Sequence, residues 1–253
     1  MLPFLRMIAD FAFPRTCMVC GRELLYSEQD LCLVCRADLP LTRYSAMERN
    51  PMADRFNAVL QKEIGQNGQF EPYAYASALF HYIPESGYSS ITRNLKYKRG
   101  IASGRRFAAL LGKELAASPL FRDVDTVIPV PLHPSRRRER GYNQAEVIAA
   151  EIARQLPLAK MESRLLERAK KTASQATLPT AVKAANVRGA FRVRERTLKK
   201  YAEGGGAFPH HILLVDDVFT TGSTLAACHS ALRALFPPQV RISVATLGET
   251  GSD

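Results

Sequence analysis

The stretch HILLVDDVFTTGSTLAACHSAL, residues 211–232, leaves little freedom in what can surround it. An unbroken Ile/Leu/Val run reads as a strand buried on both faces, and such strands belong to parallel sheets covered by helices. Asp216 and Asp217 follow the run directly, and a turn rich in small and hydroxyl side chains then feeds a helix. In open parallel sheets, ligands bind outside the carboxyl ends of the strands, where this reading puts the two acids. The hydroxyls of Thr220, Thr221, Ser223 and Thr224, with free backbone N–H groups and the helix N-terminus, make an anion cradle sized for one phosphate. Gly222 is expected to let the backbone approach that phosphate where a Cβ would clash. Acids beside a phosphate can accept hydrogen bonds from ribose hydroxyls, so a ribose 5-phosphate moiety satisfies both halves. The competing reading is an acidic strand end that caps a helix.

The rest of the chain supports an α/β fold. YAYASALFHYI, DVDTVIPVP and VRISVATL read as strands, and YSSITRNLKYKRG, IASGRRFAALLGKELAAS, NQAEVIAAEIARQL and STLAACHSALRAL as helices. Strands separated by helices of about a dozen residues argue for a parallel sheet with both faces covered. Residues 40–70 are polar and mixed, and GQNGQFEP reads as a turn-rich connection. The expected division is 1–45 as an amphipathic N-terminus and cysteine module, 46–72 as linker or hood, and 73–253 as the main domain. The GGG at 204–206 is expected inside a flexible loop.

Cys17 and Cys20, then Cys32 and Cys35, form two C-x-x-C pairs eleven residues apart. Each pair can place two thiolates on one ion through a knuckle turn, and two pairs complete a closed tetrahedral Zn²⁺ site in a double-zinc-ribbon-like module. A disulfide pairing needs an oxidising compartment, and a redox C-x-x-C needs no duplicate. So short a segment cannot bury a core, so metal binding is expected to supply its folding free energy. Cys228 reads as a small buried hydrophobe.

The net charge of +11 favours anionic partners, although a solvated basic surface gives the same number. Much of the excess lies in 93–106, 136–140 and 164–200. The opening MLPFLRMIADFAFP carries Arg6 and Asp10 and is too short to span a membrane and too interrupted for a signal peptide. It reads as an amphipathic helix that packs on the protein or docks a partner, and a cytoplasmic location is expected.

LLVDDVFTTGST resembles the 5-phosphoribosyl-1-pyrophosphate (PRPP) signature of type I phosphoribosyltransferases. DTVIPVPLHPSRRRERGYNQAE is similar to the pyrophosphate-loop region of glutamine PRPP amidotransferase and its relatives, and RAKKTASQATLPTAVKAANVRGAF to the flexible loop of that group. With NLKYKRG and the paired C-x-x-C, the chain from Cys17 to Leu247 resembles the ComF family, the competence-associated branch of phosphoribosyltransferase-like proteins.

The resemblance implies a type I phosphoribosyltransferase fold behind a four-cysteine zinc module. It also implies PRPP as ligand, with Mg²⁺ bridging pyrophosphate and ribose. Asp216, Asp217, Thr220, Thr221, Gly222, Ser223 and Thr224 would bind PRPP together with Arg136, Arg137, Arg140 and Lys98. The catalytic work would fall to Asp216, Asp217, Lys96 and Arg137, with Arg138 and Arg99 as further candidates for the cationic wall. A flexible loop carrying Lys170, Lys171, Gln175 and Arg188 would close over the ligand; the alternative reading of its residues is a disordered basic segment or a nucleic-acid contact. His133 would touch the ligand or serve the structure, and His210 and His211 would begin a strand.

Two departures from the relatives stand out. The chain opens MLPFL, without the N-terminal nucleophilic cysteine of glutamine amidotransferases, and ERTLKKYAEGGGAFPH before the PRPP strand is longer than the short turn expected there. No base-reading residue is recognisable, so the acceptor stays open. The expected function is phosphoribosyl transfer linked to DNA uptake. The alternative is a non-catalytic module that assists uptake by binding single-stranded DNA or a competence-machinery protein, although the interleaved aromatics of a stacking platform are lacking.

Overall fold

The computed structural model describes residues 14–64, 71–97, 100–169, 189–202 and 207–251. The amphipathic helix expected at the N-terminus and the GGG at 204–206 fall outside them. Among the described residues, five strands form one all-parallel sheet: β1 (Ala76–His81), β2 (Thr126–Pro129), β3 (Lys160–Met161), β6 (His211–Phe219) and β7 (Arg241–Glu249), in the order β1-β7-β6-β2-β3. A separate antiparallel pair joins β4 (Leu166–Arg168) to β5 (Phe191–Val193).

Successive residues of a strand point to opposite faces, and the two halves of the core follow that alternation. Ile212 and Leu214 of β6 join one cluster, which holds helices α2 (Pro51–Ile64) and α8 (Ser223–Arg233) on the sheet. Leu213 and Val215 join the other, beneath α4 (Ile101–Ala117) and α6 (Gln144–Gln155). Both faces of the sheet are therefore covered, as the unbroken apolar run of residues 212–215 requires.

Helix α2 departs from the sequence reading, which took residues 40–70 as a polar connection. Met52, Phe56 and Leu60 recur at helical spacing and are buried, each contributing about 1.5–3 kcal/mol of burial. Asn50 caps the helix, accepting a 2.9 Å bond from the Ala53 N–H, with Pro51 next in line where a missing N–H costs nothing. The Asn50 amide also donates to Ala76 O at 2.9 Å and that of Asn57 to Ala74 O at 2.9 Å, so α2 is tied to the strand it covers. Part of the long insertion before β6 is likewise helical, as α7 (Glu195–Ala202).

The cysteine module, which includes the short helix α1 (Leu33–Ala37), shares the second core: Cys17, Leu31, Cys32 and Cys35 cluster with Leu79, Phe80 and Phe107. Ser90 Oγ, at the head of the short helix α3 (Ser90–Asn94), donates to Met18 O at 2.7 Å and Tyr88 OH to Cys35 O at 3.0 Å. Arg106 grips the Asp30 carboxylate through two nitrogens, and Ser103 Oγ donates to the same group at 2.7 Å. A Cβ on Gly87 would lie 2.3 Å from Val19 O, which measures how closely the knuckle sits on the domain. Beyond the module, residues 40–42 run antiparallel to β1, with His81 N bonded to Pro40 O at 2.8 Å and Thr42 N to Leu79 O at 3.1 Å. Among the described residues, no helix is long and apolar enough to cross a membrane.

Candidate functional site

From β2 the chain winds through α6 to β3 on one side, and from β6 through α8 to β7 on the other. The winding reverses between β2 and β6, and at such a switch point the connections part and leave a crevice at the strands' carboxyl ends. A cleft of about 550 Å³ occupies it. Pairing of β6 with β2 stops at Pro129 opposite Val215, whereas pairing with β7 continues to Phe219 opposite Glu249. Asp216 and Asp217 therefore lie within β6 rather than after it, just past the end of β2, where one flank of the strand opens into the cleft.

Asp216 accepts a bond from the Asp217 N–H at 2.9 Å, and Asp217 from the Val218 N–H at 2.8 Å. Burial, and then the Asp217 charge, push the Asp216 carboxyl well above the usual carboxylate range, against the pull of the Asp217 N–H and of Arg168. The folded protein therefore holds a proton that the unfolded chain has already lost, and stability falls as pH rises through that window. Each pKa unit of such elevation costs about 1.4 kcal/mol at neutral pH. Asp216→Asn is expected to raise the melting temperature near neutrality by about 2–4 °C per kcal/mol regained. The gain should vanish at a pH below the ordinary carboxylate value, and superimposable melting curves from pH 4 to 8 would contradict it.

The turn after β6 ends at Gly222, whose φ of +74° is left-handed and which precedes α8 without offering a side-chain cap. A Cβ there would sit 2.9 Å from the Phe219 ring. The glycine is thus required by the turn itself, in addition to the close phosphate approach expected from sequence. Thr221 Oγ1 lies 3.0 Å from Ser223 Oγ and 3.4 Å from Ser223 N, and Thr220, Gly222 and Thr224 join them in lining the cleft. Gly222 itself has no side chain to cap α8, and the positive end of the helix faces the cleft.

Helix α5 (Pro134–Arg140) sorts its arginines by helical geometry. Arg136 and Arg140, four residues apart and half-buried, share a face and line the cleft. Arg137 and Arg138 project from other faces into a second cavity, where Arg137 pairs with Glu146 at 2.7 and 3.2 Å. Arg137, expected among the catalytic and PRPP-binding cations, is not brought into the first cleft. His133 caps α5, accepting from Ser135 N at 3.2 Å, so its nearest partner belongs to the fold.

Lys96 does line the cleft, on a segment tied down where Tyr142 OH donates to Leu95 O at 2.5 Å. Lys98, Arg99, Lys170, Lys171, Gln175 and Arg188 fall outside the described residues. His211 begins β6 as expected and is buried, bonded to Asp123 and Ser243 at 2.8 Å each, and burial holds its pKa below the ordinary value. Cys228 is buried in α8, again as expected.

The residue the sequence reading missed is Arg168, the last of β4, which lines both cavities. Burial, and then the charge of Arg136, lower its pKa, while Asp216 works the other way. It stood at the head of the RAKK segment, and only the pairing of β4 with β5 aims it at the acids. Asn143 was also missed: its amide donates to Val130 O at 2.9 Å while its carbonyl accepts from Ala145 N at 3.1 Å, so it fixes the end of β2 to the start of α6.

Behind the cleft lies a charged network. Glu249, 1% exposed, ends β7 and pairs with the Arg55 guanidinium and with His81 Nδ1 at 2.6 Å. Tyr44 OH stands 3.5 Å from the same carboxylate. Arg55 also bonds Thr250 O, and its guanidinium lies 5.1 Å over the Phe219 ring, the ring against which Gly222 rests.

In the module, the four sulfurs of Cys17, Cys20, Cys32 and Cys35 lie within 4.8 Å of one another, and those of Cys20 and Cys32 are 3.8 Å apart. Tetrahedral sulfur ligands at a Zn–S distance of about 2.3 Å stand about 3.8 Å apart, so the four can hold a metal such as zinc. Burial pushes the Cys17 thiol up, but backbone N–H groups from Cys20, Cys32 and Val19 outweigh it and bring it down to about 6. Burial and then the neighbouring sulfurs push Cys35 up. A cation among the four resolves that conflict, because it stabilises every thiolate at once.

No family model matches the sequence. Competence protein F of Haemophilus influenzae is 25% identical over 233 residues, covering 89% of this chain and 94% of its own. DNA utilization protein YhgH of Salmonella typhi is 27% identical over 220 residues, 84% of this chain and 88% of its own, and the protein of the same name from Escherichia coli K12 is 26% identical over the same span. The similarity takes in nearly the full length of both partners and supports the resemblance of this chain to the ComF family.

Proposed function

We propose that the cleft binds PRPP and that the protein transfers its phosphoribosyl group to an acceptor with release of pyrophosphate, in the service of DNA uptake or use. The observation that carries this reading is the meeting, in one crevice, of the acid pair, the hydroxyl turn at a helix N-terminus, and the cations Lys96, Arg136, Arg140 and Arg168. The turn before α8 holds the 5-phosphate through backbone N–H groups and hydroxyls. Asp216 and Asp217 accept hydrogen bonds from the ribose hydroxyls and fix the ring. The guanidinium groups meet the charge that builds on the leaving pyrophosphate, and Arg136 and Arg140 suit bidentate phosphate contacts. The two neighbouring carboxyl groups beside a pyrophosphate would hold Mg²⁺, a hard cation with oxygen ligands whose charge would favour the ionised form of Asp216 and would neutralise charge on the departing group. Zinc in the four-cysteine site, closed to further ligands, serves the fold.

The link to DNA comes from the relatives, which are named for competence and DNA utilization. The net charge of +11 favours a second reading in which the cleft is retained as scaffold and the protein assists uptake by holding single-stranded DNA or a competence partner.

Calorimetric titration of PRPP, with and without Mg²⁺, separates the two. The transferase reading expects binding that needs Mg²⁺ and weakens at least about tenfold in Asp216→Ala/Asp217→Ala, since each hydrogen bond to a charged group is worth about 1.5–3 kcal/mol. No binding by a folded, metal-loaded protein leaves the second reading.

A further inference from the structure

The second cavity, about 850 Å³, lies between α5 and the β4–β5 pair and shares Pro131, Leu132 and Arg168 with the first cleft. Five guanidinium groups line it, from Arg137, Arg138, Arg168, Arg192 and Arg194, against the carboxylates of Glu146 and Glu167. Both carboxylates are engaged already: Glu146 by Arg137 at 2.7 Å, Glu167 by Arg192 at 2.6 Å and Arg194 at 3.2 Å. An excess of positive charge therefore remains inside a concave wall, where the protein's own acids cannot cancel it. A concave, single-signed site concentrates counter-ions and ligands of opposite charge.

Strand geometry builds this arrangement. Arg192 and Arg194 are two residues apart, so they fall on the same side of the β5 segment, and Glu167 stands opposite Arg192 in the register. Arg138 comes from the opposite wall, on the face of α5 turned away from the first cleft. Among the described residues no Phe, Tyr or Trp lines the cavity, and the His133 imidazole there is engaged by Ser135, so the lining favours phosphate groups over stacked bases.

We infer that this second cleft is an anion site in its own right, which takes a phosphate-bearing small molecule alongside the ligand of the first cleft, with Arg168 as the wall between them. The inference does not depend on the first ligand being PRPP. The planar guanidinium fork suits phosphate oxygens better than an ammonium does, and here forks approach from two walls.

The test is a calorimetric titration of the full chain with inorganic pyrophosphate at fixed ionic strength. Two equivalents per chain are expected, of which saturating PRPP displaces one. Arg138→Ala/Arg194→Ala should weaken the remaining equivalent about tenfold or more while leaving the PRPP titration and the melting temperature in place, and Arg138→Lys should recover part of the loss. If PRPP fails to bind, a pyrophosphate equivalent sensitive to Arg138 and Arg194 but indifferent to Asp216→Ala/Asp217→Ala still upholds the second site. A single equivalent, or two that ignore the Arg138 and Arg194 substitutions, overturns it. Displacement of the second equivalent by a single-stranded oligonucleotide at lower concentration overturns the small-molecule assignment in favour of nucleic acid.

Discussion

Cys32→Ser, or stripping of the metal by a strong chelator, is expected to unfold more than the module. The knuckle segment is too small to hold itself together, and structural zinc contributes about 10–16 kcal/mol of apparent binding free energy in isolated zinc-finger peptides. Whole domains are stable by only about 5–15 kcal/mol, so the loss is comparable to the entire margin. Here it also spreads. Cys17, Cys32 and Cys35 are buried against Leu79, Phe80 and Phe107, and the Asp30 carboxylate is held by Ser103 and Arg106 on α4. Opening the module strips a covering layer from that face of the sheet. Thermal unfolding should show one cooperative transition that shifts down by tens of degrees or disappears, and metal analysis of the wild type should find one zinc per chain. A chelated protein that keeps its melting temperature and circular dichroism would refute this coupling.

Glu249→Ala is expected to cost about 3 kcal/mol, the low end of the range for removing one partner of a buried ion pair, because Arg55 retains partial contact with water. The melting temperature should fall by about 6–12 °C. The removed carboxylate leaves the Arg55 guanidinium under-compensated, and His81 and Tyr44 lose their shared acceptor. The disturbance reaches the candidate site, because the Arg55 guanidinium lies over Phe219 and Phe219 backs the Gly222 turn. Replacing both partners, Arg55→Leu with Glu249→Leu, should recover much of the stability lost in the single variant, since no orphaned charge remains. A shift of under about 2 °C for Glu249→Ala would show that the network is idle.

How far the sequence carried these conclusions varies by element. The parallel sheet was legible because its central strand is apolar without alternation, a pattern only double-sided burial explains. The acid pair, the hydroxyl turn and the cysteine quartet were legible because each is contiguous or nearly so. Helix α2 was passed over although Asn50, Pro51 and the spacing of Met52, Phe56 and Leu60 announced it; its charged outer face masked the buried stripe. The arginines of 136–140 could not be apportioned from a string of letters, because a rotation of about 100° per residue decides which cavity each one enters. Arg168 was beyond reach for another reason: its place depends on β4 pairing with β5 across a long stretch of intervening chain.

The short antiparallel run of residues 40–42 along β1 has a consequence for how the protein behaves in a crowd. An open sheet has two rims whose unpaired N–H and C=O groups can template another chain. At one rim the strand, β3, is two residues long and ends in exposed side chains. At the other, β1 is six residues long and buried, the kind of rim that invites a stranger, and the chain leaving the cysteine module lies along it as a selvedge. A truncation that discards the module and its exit would therefore remove more than a metal site. It would leave a long apolar border unfinished, and such a fragment should be insoluble even where its core is intact.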